Sequence, residues 1–347
     1  MRVLIYEFVT GGGTFSLRRS PEPVGSFLSE GAAMIGSLAA DFLRLPGAEV
    51  FTLRDSRLAD FPLPDCVVAE VCAADEERRF LSELAARCDA TIVIAPEFGG
   101  ALFERARIVS RAGGHLLSPG PDFIAIAADK TKTAAALAAA GVSVPFGVTL
   151  ADDEPLPADF PFPAVCKPND GAGSADVQFV ASADQTPHRE SGSRYRLEQF
   201  CPGIAASVAV LCGPNECAAL PACSQRLTDD GAFRYLGGET PLAEPLAARA
   251  RWLALAAVAA LPTTIGYVGV DLVLGDDPDG ADDVVIEINP RLTTSYVGLR
   301  AAARGNLAQA MLDIAAGRAC DLSFRAERIE FDADGAVREA LRGCESF

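Results

Sequence analysis

The sequence predicts a mixed α/β (α+β) protein in three successive parts: an N-terminal parallel α/β unit, a small central α+β part and an antiparallel C-terminal part. Three observations carry this. Strand and helix patterns alternate over residues 1–115, which implies a parallel sheet with crossover helices. A short apolar strand runs into a glycine-rich turn within Phe162–Ser174, FPAVCKPNDGAGS. Residues 266–296, GYVGVDLVLGDDPDGADDVVIEINPRLTTSY, read as a β-hairpin around an acidic turn. The 347 residues allow two or three domains and a sizeable core, with boundaries expected at 1–115, 116–198 and 199–347.

Val3–Tyr6 is the first buried strand, followed by TGGG at Thr10–Gly13. A helix is expected from Val24 to Leu43, because Phe27, Met34, Leu38 and Phe42 recur at helical spacing. Glu49–Leu53 is a second strand, and a helix near Glu76–Arg87 leads into a third at Ala90–Ile94. Parallel sheets bind ligands at their carboxyl edge, here Gly11–Thr14 and Pro96–Gly100. Gly11 and Gly12 suit either a substrate loop or a structural turn. A dinucleotide fingerprint does not fit, since its third glycine position is Ser16 and the helix starts too late. Glu7 and Glu97 are candidate substrate contacts, each with a solvated carboxylate as the default reading.

Asp129-Lys130 opens an alanine-rich helix that Gly141 closes. Lys167 ends a strand just before Gly171, Gly173 and Ser174. Glycine lets backbone N–H groups approach phosphate oxygens, and the lysine neutralises their charge, although no G-K-[ST] follows to make a Walker A motif. Arg196–Phe200 reads as a strand leaving the small part, with Glu198 available to an adenine amino group. In the hairpin, Asp271 sits in an apolar strand, a costly place for an unpaired carboxylate. Glu287 and Asn289 share a strand face, and Asp271 joins them if the register allows. That set is all oxygen, of the kind that holds Mg²⁺ through substrate phosphates, and Arg291 adds a fixed fork for a phosphoryl group.

Composition excludes several classes. A net charge of −17 argues against nucleic acid. Ten cysteines form no C-x-x-C pair, and only His115 and His188 could assist them, so a zinc site lacks support. Reduced thiols in a cytoplasmic protein are the simpler expectation. The start, MRVLIYEFV, does not read as a signal peptide, and Pro245–Leu261, interrupted by Arg249 and Arg251, is too short to span a bilayer. No G-x-S-x-G elbow is present and neither histidine has an evident partner, so no nucleophile stands out.

The ordered pieces Asp129-Lys130, VCKPNDGAGS, EQF, YVGVDLVL and VIEINPR, spread over Leu117–Arg300, resemble the ATP-grasp ligases. The resemblance implies the ATP-grasp fold, with nucleotide between the last two parts. It implies that Lys130 and Lys167 contact phosphates, that Gly171, Gly173 and Ser174 form a lid over them, and that Glu198, Gln199 and Phe200 lie at the adenine. Asp271, Glu287 and Asn289 match the family's magnesium ligands, for two Mg²⁺ ions that Mn²⁺ can replace. Arg291 matches the arginine that steadies the transferring phosphate, so Arg291 and Lys167 are the catalytic candidates. One departure stands out: the stretch Cys201–Ala206 lacks the glutamate that usually holds the ribose hydroxyls. Ribose contacts then come from elsewhere, or nucleotide binding is weaker.

MRVLIYEFVTGGG and INPRLTTSYVGLR are most similar to the tyramine–glutamate ligase branch, which serves methanofuran-type coenzymes. The implied reaction joins a carboxylate, glutamate, to an amine such as tyramine through an acylphosphate, releasing ADP and phosphate. Gln225, Arg226, Thr293 and Thr294, with Gly11 and Gly12, are the substrate candidates. For Arg226 a salt bridge over the sheet is the alternative, and for Thr293, Thr294 and Ser295 a helix cap. The implied partners are small molecules, with neither nucleic acid nor membrane, and a homodimer is compatible. Two other readings stay open, an amino-acid or dipeptide ligase and a non-catalytic ATP-binding regulator. The missing ribose carboxylate favours the regulator; the intact Asp271, Glu287, Asn289 and Arg291 set opposes it more strongly.

Overall fold

In the computed structural model, which describes residues 1–171 and 175–339, the N-terminal stretch forms a four-stranded parallel sheet. Its elements are β1 (Arg2–Glu7), α1 (Gly25–Leu43), β2 (Glu49–Asp55), β3 (Val67–Val71), α2 (Ala74–Ala85), β4 (Ala90–Ile94) and α3 (Ala101–Arg111), in sheet order β3-β2-β1-β4. Alternation along β1 sends Val3 and Ile5 to one face, against Met34, Ile35, Leu38 and Phe42 of α1. Leu4 and Tyr6 point to the other, against Leu81 of α2 and Leu102 of α3.

Next come α4 (Pro121–Ala127), α5 (Lys130–Ala139) and the strands β5 (Gly147–Ala151), β6 (Ala164–Pro168), β7 (Gln178–Val180) and β8 (Arg194–Gln199). The strands make an antiparallel sheet, β5-β8-β6-β7, over a small core of its own that includes Cys166, Tyr195 and Leu197. Asp129 caps α5 by accepting from Lys132 N at 3.0 Å, and Gly141, at φ +77°, closes it as expected. Although they precede the central strands, α4 and α5 pack elsewhere: Phe123, Ala127 and Leu137 share a core with Val268, Val270 and Ile288 of the third sheet.

That sheet is antiparallel and has eight strands. The elements are β9 (Ile204–Cys212), β10 (Cys217–Ala219), β11 (Cys223–Leu227), β12 (Tyr235–Thr240), α6 (Leu246–Ala259), β13 (Gly266–Leu274), β14 (Val284–Asn289), α7 (Ser295–Ala302), α8 (Leu307–Ala315), β15 (Ile329–Asp332) and β16 (Val337–Glu339). The order is β14-β13-β9-β11-β12-β15-β16, with β10 paired to β9. One face lies on α4, α5 and α6; the other shares a core with α1, α7 and α8, so the N-terminal unit and the third sheet are packed as one body. The nine described cysteines are all free thiols. Among the described residues no helix is long and apolar enough to cross a membrane.

Asp41 ties α1 to α7. It is fully buried and accepts from Tyr296 Oη at 2.7 Å and from Arg300 Nε and Nη2 at 3.1 and 2.7 Å. Removing one member of such a group leaves the others uncompensated. Asp41→Ala is therefore expected to cost about 3 kcal/mol, read as a lowered urea midpoint; a change below about 0.5 kcal/mol would contradict it.

Candidate active site

Strands β13 and β14 pair with Gly269 opposite Asn289 and Asp271 opposite Glu287, and a bulge follows Asp271. Directly opposed residues share a sheet face. Asp271, Glu287 and Asn289 therefore meet on the wall of a cavity of about 340 Å³ lined by the second and third sheets. Asp271 accepts from Gln225 Nε2 and Asn289 Nδ2, each at 2.9 Å. Burial, then the adjacent Glu287 charge, push its carboxyl up to about 7 against those two hydrogen bonds. Glu287 is partly buried, but Lys130 and Lys167 outweigh the desolvation and hold it below the ordinary glutamate value.

Each cation of the cavity is anchored by a carboxylate. Lys130 Nζ lies 3.0 Å from Glu287 Oε2 and donates to the Gly171 carbonyl at 2.7 Å. The β6–β8 register sets Lys167 opposite Arg196 and Val165 opposite Glu198, so these four share one face while Cys166 and Leu197 turn to the core. Lys167 Nζ sits 2.6 Å from Glu198 Oε2, and Arg196 Nε donates to Glu198 Oε1 at 2.6 Å. Each Glu198 oxygen thus accepts from one cation and keeps a further lone pair, and Glu198 lines the cavity. The Gln199 and Phe200 N–H groups are also occupied, by the Phe146 and Pro163 carbonyls. The Phe200 ring lines the cavity, stacked near Phe233 (6.2 Å, 21°) and edge-on to Phe179 (5.4 Å).

Arg291 donates to Glu97 through Nε at 2.9 Å and Nη2 at 3.2 Å. Glu97 is buried, so its solvated reading is corrected, and so is that of Glu7, which accepts from the Val9 and Thr10 amides and the Thr10 hydroxyl. Gly11 and Gly12 form an interior turn rather than a substrate loop. A Cβ on Gly11 would meet the Glu7 carbonyl at 2.5 Å, and Gly12, at φ +87°, would press on Val71 at 2.6 Å. Arg226 points away from the cavity, where it pairs with Asp332 and donates to the Phe331 carbonyl at 3.2 Å. Thr293 and Thr294 line the cavity. Thr293 Oγ1 bonds Tyr267 Oη at 3.1 Å, while Thr294 precedes α7 without a side-chain cap. Gly173 and Ser174 lie outside the described residues.

The cavity also takes in Tyr235 and three residues to which no sequence motif points, Glu30, Ser207 and Phe233. Glu30 had a signal, standing three residues after Phe27 and four before Met34 on the apolar stripe of α1. Among the described residues no three His, Cys, Asp or Glu side chains converge on a common point. The donor set is two carboxylates and one amide, chemistry that fits a hard divalent cation bound mostly through its ligand's oxygens. Asn289 now turns its nitrogen to Asp271 and its oxygen to Arg291, so ligation by that oxygen requires the amide to turn.

Residues 127–295 match the ATP-grasp domain family, and residues 48–124 match the pre ATP-grasp 3 domain. The chain belongs to the ATP-grasp family and is an ATP-dependent carboxylate–amine ligase. It is similar to the tyramine–L-glutamate ligase of Methanocaldococcus fervens, 26% identical over 246 residues that make up 71% of this chain and 72% of that one. An ATP-grasp superfamily protein of Archaeoglobus fulgidus superposes with a TM-score of 0.71 at 23% identity, over 96% of this chain and 92% of the other. The N5-carboxyaminoimidazole synthase of Aspergillus clavatus, solved with ADP and 5-aminoimidazole ribonucleotide, gives a TM-score of 0.68 at 16% identity, over 95% and 80%.

Proposed function

We propose that this ligase joins glutamate to a tyramine-like amine. The single observation that carries the chemistry is the register that faces Asp271, Glu287 and Asn289 toward Lys130 and Lys167 in one cavity. A carboxylate oxygen of the first substrate attacks the terminal phosphorus of ATP, and the bond to ADP breaks. The free amine nitrogen then attacks the acyl carbon of the acylphosphate, the carbon–oxygen bond to phosphate breaks, and the proton lost from nitrogen leaves with the phosphate. Such transfers need positioning and charge neutralisation more than a covalent protein group. Lys130 and Lys167, each fixed by a carboxylate, neutralise phosphate oxygens, and Arg291, its fork set by Glu97, faces the transferring phosphoryl group. Asp271, Glu287 and Asn289 would hold Mg²⁺, which supplies charge neutralisation on the phosphates when bound.

The choice of glutamate and tyramine rests on the similarity to the Methanocaldococcus fervens enzyme. Phosphate release from ATP and Mg²⁺ with glutamate and a panel of amines tests it. Release that requires glutamate together with tyramine or a close analogue is the expected result; release with other pairs only would replace those substrates. At the nucleotide, Phe200 offers a face on which adenine stacks, so Phe200→Ala should raise KM for ATP about tenfold. An unaltered KM would move the adenine elsewhere.

A further inference from the structure

Glu30 enters the cavity from α1 of the N-terminal unit, half-buried, on the side that also carries Tyr235, Asp271 and Arg291. The other carboxylates around the cavity have partners. Glu287 has Lys130, Glu198 has Lys167 and Arg196, Glu97 has Arg291, and Asp271 has two amide donors. Among the described residues, Glu30 has neither a hydrogen bond nor an ion pair. Burial raises its carboxyl, and the field of Arg291, whose Nε and Nη2 are taken up by Glu97, opposes this. A carboxylate placed on the apolar stripe of a helix and left unpaired costs stability unless a ligand supplies the missing cation.

What cation fits follows from the surroundings. A divalent metal ion wants several oxygens at once, and among the described residues Glu30 belongs to no group of three such ligands. A primary ammonium wants one carboxylate and an apolar stem region. It is also the form in which an alkylamine arrives at neutral pH, its pKa being about 10. We infer that Glu30 binds the ammonium group of the acceptor and thereby restricts this ligase to cationic amines entering from the N-terminal unit; one ammonium proton passes to the Glu30 carboxylate before the freed amine attacks, and the second leaves with phosphate. This deepens the proposed function and rests on its acylphosphate. Glu30 is a substrate-binding residue in this scheme; the phosphoryl transfer takes place among Lys130, Lys167 and Arg291.

The test compares two nucleophiles on the same acylphosphate. Tyramine is a cation at pH 7, whereas hydroxylamine is small and largely uncharged and captures acylphosphates as hydroxamates. With ATP, Mg²⁺ and glutamate saturating, Glu30→Gln should raise KM for tyramine at least tenfold relative to any change in KM for ATP. The ratio of amide to hydroxamate formed from a mixture of the two nucleophiles should fall by the same factor. Glu30→Asp, which keeps the charge, should recover much of both. An amide-to-hydroxamate ratio equal in wild type and Glu30→Gln overturns the inference while leaving the ligase reading intact. An Asp variant as poor as Gln overturns it too, because charge is then not the cause. Absence of any hydroxamate from the wild-type enzyme with glutamate overturns the glutamyl-phosphate reading and this inference together.

Discussion

Glu287→Gln is expected to lower amide-forming turnover by about a thousandfold, the scale on which loss of one preorganised electrostatic element acts. Glu287 faces Asp271 across the β13–β14 pair, and Lys130 reaches it from α5. Glutamine keeps its size and place in the strand but cannot bring the charge that a divalent cation needs. The fold should tolerate the change. Lys130 retains the Gly171 carbonyl, and Asp271 loses the neighbouring charge that helps push its carboxyl up. Stability within about 1 kcal/mol of wild type, with turnover gone, is the expected pair of results. Turnover that persists at ordinary Mg²⁺ would remove Glu287 from the metal site.

The second large effect concerns Arg291, where structural and chemical duties overlap. Its partly buried guanidinium forms a bidentate pair with the buried Glu97, so Arg291→Met leaves a carboxylate in the interior without a counter-charge. A loss of about 3–5 kcal/mol is expected, together with loss of turnover. Activity alone would not separate the two duties. The double variant Glu97→Gln, Arg291→Met removes both charges and should regain most of the stability while staying inactive. If the double variant regains turnover along with stability, Arg291 is only a strut between the N-terminal unit and β14, and phosphoryl stabilisation must come from the lysines.

How far the sequence reached depended on the range of each interaction. The hairpin was legible because strand alternation is local: a period of two places Glu287 and Asn289 on one face whatever surrounds them, and an apolar strand exposes Asp271 as an anomaly. The cap at Asp129 and the closure at Gly141 were legible for the same reason, since both act within one helical turn. The motif order from Asp129 to Arg291 carried the family. By contrast, β3 and α3 went unread; β3 is a partly buried edge strand whose pattern is weak.

By itself, then, the sequence determined the parallel N-terminal unit, the carboxylate-bearing hairpin and the two lysines. Tertiary structure decided which charges are free to act. Glu97 and Arg291 are 194 positions apart, and nothing in either local pattern foretells their pairing. Glu198 stands without a counter-charge in its own strand until the register places Lys167 and Arg196 on the same face. Arg226 reads as a site residue until β15 brings Asp332 beneath it. Gly11 and Gly12 suit a loop until Val71 and the Glu7 carbonyl fill the space beside them. The physical reason is common to all four: residue spacing sets the face on which a residue stands, but whether its charge or the space beside it is already taken depends on partners brought there by tertiary packing.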